Sequence, residues 1–174
     1  VWFSSNLRGL GRFDPKTNQL EFEPHPEGIF ANGVDVVGDS LFIMCRSRLY
    51  LSDISNRKGQ HFKNDITSSI LNELELFDLY VRKVGKLSDG RLILLHGGNP
   101  TVQEGFRRGK NYLTVIGFDY LERGNELIIG SENGLRVLDS NGLQYLTVNG
   151  EKITRSVYSL LEDSNGHLWA GTDN

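Results

Sequence analysis

The side chains in this 174-residue sequence that could take part in chemistry are four histidines, one cysteine and several clusters of charge. His25, His61, His96 and His167 are scattered, with no two at a metal-ligand spacing. Cys45 has no second cysteine to pair with and cannot supply a multi-cysteine zinc site. It ends the apolar run Leu41 to Cys45, where a thiol behaves as a small hydrophobe rather than a nucleophile. No Gly-x-Ser-x-Gly elbow and no phosphate-cradling Gly-Lys-Ser/Thr run occurs. The neighbouring carboxylates Glu162-Asp163 and Glu73-x-Glu75 read as a turn and a solvated helix face. No catalytic residue, metal site or cofactor is therefore expected. The remaining chemistry is recognition. Arg46, Arg48, Arg107, Arg108 and Lys110, with His96, supply forked and point cations suited to carboxylates or sulfates, and Phe106 and Tyr112 supply rings that can stack on a sugar.

The scaffold for such a site is about one domain long and can bury on the order of 70% of its unfolded surface. Twenty glycines against four prolines indicate many tight turns. A net charge of −3 gives no overall basic field for nucleic acid or an anionic membrane. No stretch approaches 18 uninterrupted apolar residues, and Val1-Trp2-Phe3-Ser4 has neither an initiator Met nor the order of a signal peptide, which points to a piece of a longer chain.

An internal repeat organises the rest. Between Thr114 and Val148 four short apolar segments are separated by turns at Arg123-Gly124-Asn125, Glu132-Asn133-Gly134 and Ser140-Asn141-Gly142, the pattern of an antiparallel meander. The second large apolar residue of the second strand recurs at Trp2, Phe42, Ile93, Ile128 and Trp169, a mean period of about 42 that falls within four-strand propeller blades. An Asp closes the third strand at Asp14, Asp53 and Asp139, where its carboxylate can accept backbone N–H groups of the following turn. The third unit departs from the pattern after Leu95, and the segment His96 to Lys110 reads as an insertion that accounts for the 51 residues between Phe42 and Ile93. Asp65 is placed to cap a short helix carrying Ile66, Ile70 and Leu74. The expected fold is all-β: residues 1–174 as a β-propeller fragment of about four blades with no second domain, an open arc of a larger, seven-bladed propeller.

The last unit, Val157 through Asp163-Ser164-Asn165-Gly166 to Leu168-Trp169-Ala170-Gly171-Thr172, closely resembles the two-component regulator propeller repeat. The first unit, from Trp2 to Asp14, and Ile129-Gly130-Ser131-Glu132-Asn133-Gly134-Leu135 are similar. Trp2 and Trp169 read as wedges between blades, Gly130 and Gly171 as points of close backbone approach, Asp163 and Gly166 as the turn, and Thr172 as the end of the motif. The resemblance implies the periplasmic sensor region of a hybrid two-component protein of Bacteroidetes type. In that family a membrane span and a histidine kinase follow, and polysaccharide breakdown products control glycan-utilisation genes.

In a four-strand meander the loops joining second to third strands share one face with the connections between blades. That face collects Arg8, Arg46, Arg48, Arg107, Arg108, Lys110, Lys152 and Arg155, eight of the nineteen Lys and Arg residues. An oligosaccharide or other small anionic ligand is expected there, with neighbouring blades and a second copy of the chain as protein partners and no nucleic acid. Two other readings are a secreted polysaccharide lyase or hydrolase, needing His96, Arg46 and Tyr112 to converge over a central channel, and a protein-interaction scaffold with an exposed apolar patch.

Overall fold

The computed structural model describes residues 1–46, 48–70, 81–97, 100–103, 110–111 and 115–173. Its strands form successive antiparallel sheets, each drawn from consecutive sequence. β1 (Trp2–Ser5), β2 (Gly9–Asp14) and β3 (Gln19–Glu23) make the first, and β4 (Gly33–Val37), β5 (Ser40–Cys45) and β6 (Arg48–Asp53) the second. The edge of β6 is extended by Asn64 to Ile66: Leu51 N–H donates to Asn64 O at 3.0 Å and Ile66 N–H to Leu49 O at 2.9 Å. The helix α1 (Thr67–Ile70) follows, capped by Asp65, whose Oδ1 accepts from Thr67 N at 3.0 Å. It is a single turn, and Leu74, expected to continue it, lies outside the described residues.

The third sheet contains β7 (Lys83–Lys86), β8 (Leu92–Leu95), β9 (Pro100–Gln103) and β10 (Lys110–Asn111). This corrects the reading of His96 to Lys110 as an insertion, because that segment holds the third and fourth strands of an ordinary sheet, and Val102 is buried in the core. The additional residues between Phe42 and Ile93 lie instead before β7, in the connection that carries α1. The fourth sheet is β11 (Gly117–Arg123), β12 (Glu126–Ser131), β13 (Gly134–Asp139) and β14 (Gly142–Tyr145). A small hairpin, β15 (Thr147–Val148) and β16 (Glu151–Lys152), leads to the pair β17 (Val157–Glu162) and β18 (Leu168–Thr172).

These sheets stack face to face in chain order. β1 packs on β4, β4 on β7, β8 on β11, and β11 and β12 on β17. The second strands β5, β8 and β12 are buried on both faces, which explains their unbroken apolar runs. On β5, Leu41, Ile43 and Cys45 pack with Leu10 and Trp2 of the first sheet, while Phe42 and Met44 pack with Val84, Leu92 and Leu94 of the third. On β8, Ile93 and Leu95 turn the other way, onto Leu127 and Ile129. Ile128 meets Val157 and Leu160. Trp2, Phe42, Ile93 and Ile128 therefore all point toward the following sheet. The result is an open arc of β-propeller blades. Trp169 occupies the same register and is 61% exposed, with no described part of the chain packed on it. Its indole Nε1–H donates to Asp163 Oδ2 at 2.9 Å.

Turn chemistry accounts for the repeated Asp residues. Asp14, Asp53 and Asp139 each accept the N–H two residues on, from Lys16 (2.9 Å), Ser55 (2.7 Å) and Asn141 (2.7 Å). Asp163 does more. Its oxygens accept from the Trp169 indole and from the N–H groups of His167 and Asn165, which hold its carboxyl down at about 2.

Two outcomes are expected. At Gly134, with φ of +97°, a Cβ would also fall on the carbonyl of Ile153, whereas at Gly142, with φ of +108°, it would meet open space. Gly142→Ala should then cost about 1–2 kcal/mol for backbone strain, and Gly134→Ala clearly more, by urea unfolding. Because the Asp163 value is depressed, its contribution is complete above 3.8 and fades as pH falls toward 2. The stability gap between the parent and Asp163→Asn should therefore close over that interval in acid titrations followed by circular dichroism.

Candidate functional site

The β5–β6 turn and the β3–β4 connection meet on one face, as the meander requires. Asn32 Oδ1 accepts from Arg46 N at 3.3 Å, and Arg48 reaches back to Glu27. Around Arg48 the structure builds a braced cluster. Its Nη1 donates to Glu27 Oε1 at 3.0 Å and to Tyr50 Oη at 3.2 Å, and Asp65 lies 4.0 Å from Nε. The hydrogen bonds that Arg48 donates to Tyr50 and Glu27 raise the guanidinium pKa further. His25 joins from behind. Its Nδ1 accepts Glu27 N–H at 3.1 Å, which places the proton on Nε2, 2.8 Å from Tyr50 Oη. Burial lowers the His25 pKa and raises that of Tyr50, so both stay neutral near pH 7. Arg48, expected as a ligand contact, is thus a strut between two loops as well as a surface cation.

The other expected residues fare differently. Arg46 is exposed at the turn, with a left-handed φ of 46°. His96 is 2% exposed and its Nε2 lies 2.9 Å from Thr101 Oγ1, so its ring belongs to the interior of the third sheet. Lys110 stands on β10. Phe106, Arg107, Arg108 and Tyr112 lie outside the described residues, as do Glu73 and Glu75. Cys45 is fully buried, and desolvation pushes its thiol up to about 12, far from a reactive thiolate. Gly130 sits where a Cβ would press on the Val157 carbonyl of the next sheet, so it permits that approach.

A second cluster, not anticipated from the sequence, lies where first strands converge. β4, β7 and β11 are each the edge strand of their own sheet, and they bring Asp35, Lys83, Asp119 and Tyr120 together. Asp35 Oδ2 accepts Val84 N–H of the next sheet at 2.7 Å. Asp119 Oδ2 does the same for Leu160 N–H of its own next sheet, also at 2.7 Å, and its Oδ1 pairs with the Lys83 ammonium, which stands 5.5 Å over the Tyr120 ring. Asp35, Lys83 and Tyr120, with Gly85 and Lys86, line an open cavity of about 390 Å³. Burial raises the Asp35 carboxyl above its ordinary value of 3.8, and the Asp119 charge adds to this against Val84 N–H and Lys83. Burial likewise raises Tyr120. A carboxylate with one oxygen committed to the backbone, an ammonium and a phenol suit a polyhydroxylated ligand, whose hydroxyls both donate and accept. The sequence signal is weak: a charge inside each first strand, at Val34-Asp35-Val36, Arg82-Lys83-Val84 and Phe118-Asp119-Tyr120.

Residues 152–174 match the profile of the family described as Two component regulator propeller. No curated protein matches the chain. Among solved structures, the extracellular domain of a putative hybrid two component system from B. thetaiotaomicron aligns over 98% of this chain with a TM-score of 0.73 and 17% identity. YCF48 bound to a D1 peptide aligns over 97% with a TM-score of 0.67 and 13% identity. A protein of unknown function from Bacteroides caccae aligns over 96%, with a TM-score of 0.58 and 11% identity. The chain spans 24%, 57% and 63% of these three, respectively, and at such identities what is shared is the propeller fold.

Because the folded Asp35 carboxyl titrates above 3.8, its contribution to stability is complete below that value and is lost as pH rises through the raised one. Asp35→Asn cannot ionise and keeps an acceptor for Val84 N–H. The stability of this variant relative to the parent should rise as pH increases from about 4 through the raised value in urea unfolding. A difference independent of pH would remove the assigned burial effect.

Proposed function

We propose that this chain is the ligand-sensing propeller portion of a two-component signalling protein, lying on the periplasmic side, with the phosphotransfer chemistry of a histidine kinase carried elsewhere in that protein. The observation that supports this best is the match of residues 152–174 to the regulator propeller family, in a segment folded as the β17–β18 hairpin around the Asp163 turn. No described helix is long and apolar enough to cross a membrane. The ligand is an oligosaccharide, and its recognition regulates glycan utilisation. Hydroxyls engage Asp35 and Lys83 in the cavity between first strands, and the basic residues Arg107, Arg108 and Lys110, with Arg46 and Arg48, are a separate candidate contact for an anionic ligand. Signalling then requires the ligand to prefer one of two arrangements of neighbouring blades or of paired copies of the chain, since only differential affinity shifts an equilibrium.

A protein-contact reading has one observation in its favour: Tyr158, Leu161 and Trp169 expose large apolar surfaces on β17 and β18. YCF48, which shares the fold, is bound to a peptide. Calorimetry of the chain against a panel of oligosaccharides separates the two. Binding of at least one glycan, weakened about tenfold or more by Asp35→Asn or by Arg107→Ala with Arg108→Ala, is expected. Absence of binding across the panel, or affinity untouched by both changes, would sink the carbohydrate reading.

A further inference from the structure

Glu23, the last residue of β3, and His61, in the connection after β6, form a buried dyad 38 residues apart in sequence. Glu23 Oε1 accepts His61 N–H at 3.1 Å, and Oε2 lies 2.6 Å from His61 Nδ1. A carboxylate only accepts, so Nδ1 carries a proton toward Glu23, and Nε2 is the ring's remaining polar atom. His61 is 3% exposed and this Nε2 has no hydrogen-bond partner among the described residues. Tying the connection to the first sheet needs only the Nδ1 and backbone bonds. A buried polar nitrogen left without a partner is unfavourable unless a donor or acceptor reaches it. His61 forms part of the wall of a cavity of about 140 Å³, larger than one water needs. The half-buried Trp2 indole, 5.1 Å from the imidazole, is another wall. The rim carries Arg12, Arg57 and Lys58, all exposed and with no ion-pair partner among the described residues; the Arg12 guanidinium stands 5.6 Å over the Trp2 ring. Glu21 shares the rim and can accept a hydroxyl.

We propose that this cavity is a second, separate ligand site, for a sugar acid of monosaccharide size. A hydroxyl, which can both donate and accept, meets His61 Nε2, the ring lies along the Trp2 indole, and the carboxylate meets Arg12 and Lys58. The inference rests on the carbohydrate reading only in the choice of probe.

The chain has two indole N–H groups, Trp2 and Trp169, so two-dimensional ¹⁵N–¹H spectra assigned with Trp169→Phe report each separately. Titration with glucuronate should move the Trp2 signal saturably and leave Trp169 unmoved, with glucose and acetate at matched ionic strength at least about tenfold weaker. His61→Gln should weaken glucuronate by a similar factor. Since that change also cuts the tie to Glu23, Arg12→Gln and Lys58→Gln, on exposed side chains, are read alongside and should each weaken it several-fold. No saturable Trp2 shift, an equal shift with acetate or glucose, or affinity unchanged in Arg12→Gln and Lys58→Gln would overturn the site. Glucuronate bound at Trp2 with no glycan sensitive to Asp35→Asn would sink only the first-strand reading; the reverse would sink only this one.

Discussion

Among the described residues, no sheet has a core of its own. The apolar residues of β5, β8 and β12 alternate between two neighbours, so each hydrophobic cluster belongs to a seam between sheets rather than to a sheet. Burial of nonpolar surface is the dominant favourable contribution to folding, and here each of the four clusters forms only when neighbouring sheets stack. A blade of three or four short strands cannot stand alone under this arrangement. Its second strand would expose a continuous apolar row on each face, and a small hairpin assembly in water is marginal even with one face covered. The recurring large residue of the second strand is the part of this constraint visible from outside. Phe42, Ile93 and Ile128 each fill the forward seam, and Trp2 fills the first from a half-buried position.

Polar contacts then settle how the seams close. Dispersion and hydrophobic contact are tolerant of sliding, whereas a carboxylate on a backbone N–H is directional. Asp35 and Asp119 each hold the first strand of the following sheet in register, one by Val84 and one by Leu160. Ser88 donates to Glu122 through both its N–H and its hydroxyl, and Arg123 lies 3.4 Å from Glu162 across the last seam. The buried charge at Asp119 is matched by Lys83, as a carboxylate taken out of water requires.

The repeat, the strand order and the turn role of Asp14, Asp53 and Asp139 are legible in the sequence because each is local: a period of two within strands, a turn residue, and a spacing near 42. The third sheet was harder. β9 follows Gly97-Gly98-Asn99 and ends without the Asp landmark, so Thr101 and Val102 read as loop although they lie in the ladder. The first-strand cluster was illegible for a geometric reason. Asp35 stands opposite Phe42, but Lys83 stands opposite Leu95 and Asp119 opposite Gly130. Unequal turns and a bulge between Gly117 and Asp119 put the three charges at different distances from their anchors, and no single repeat offset finds them. The Glu23–His61 pair joins two elements whose docking no local pattern encodes. The basic loop residues were easy to collect by type, but type does not reveal that Arg48 is committed to Glu27 and Tyr50 or that His96 faces inward.

The carboxylate links from Asp35 and Asp119 have a mechanical consequence. Both leave first strands, the strands that lie at one edge of the stack, while the seams farther out are joined by apolar contact. The arc is built like a folding fan, riveted at the handle and free to spread at the leaf. The cavity lined by Asp35, Lys83 and Tyr120 lies beside the rivets. A wedge of given thickness driven in at such a pivot opens the far ends of two leaves by more than its own thickness, so a small displacement beside Asp35 is read at the outer strands as an angle.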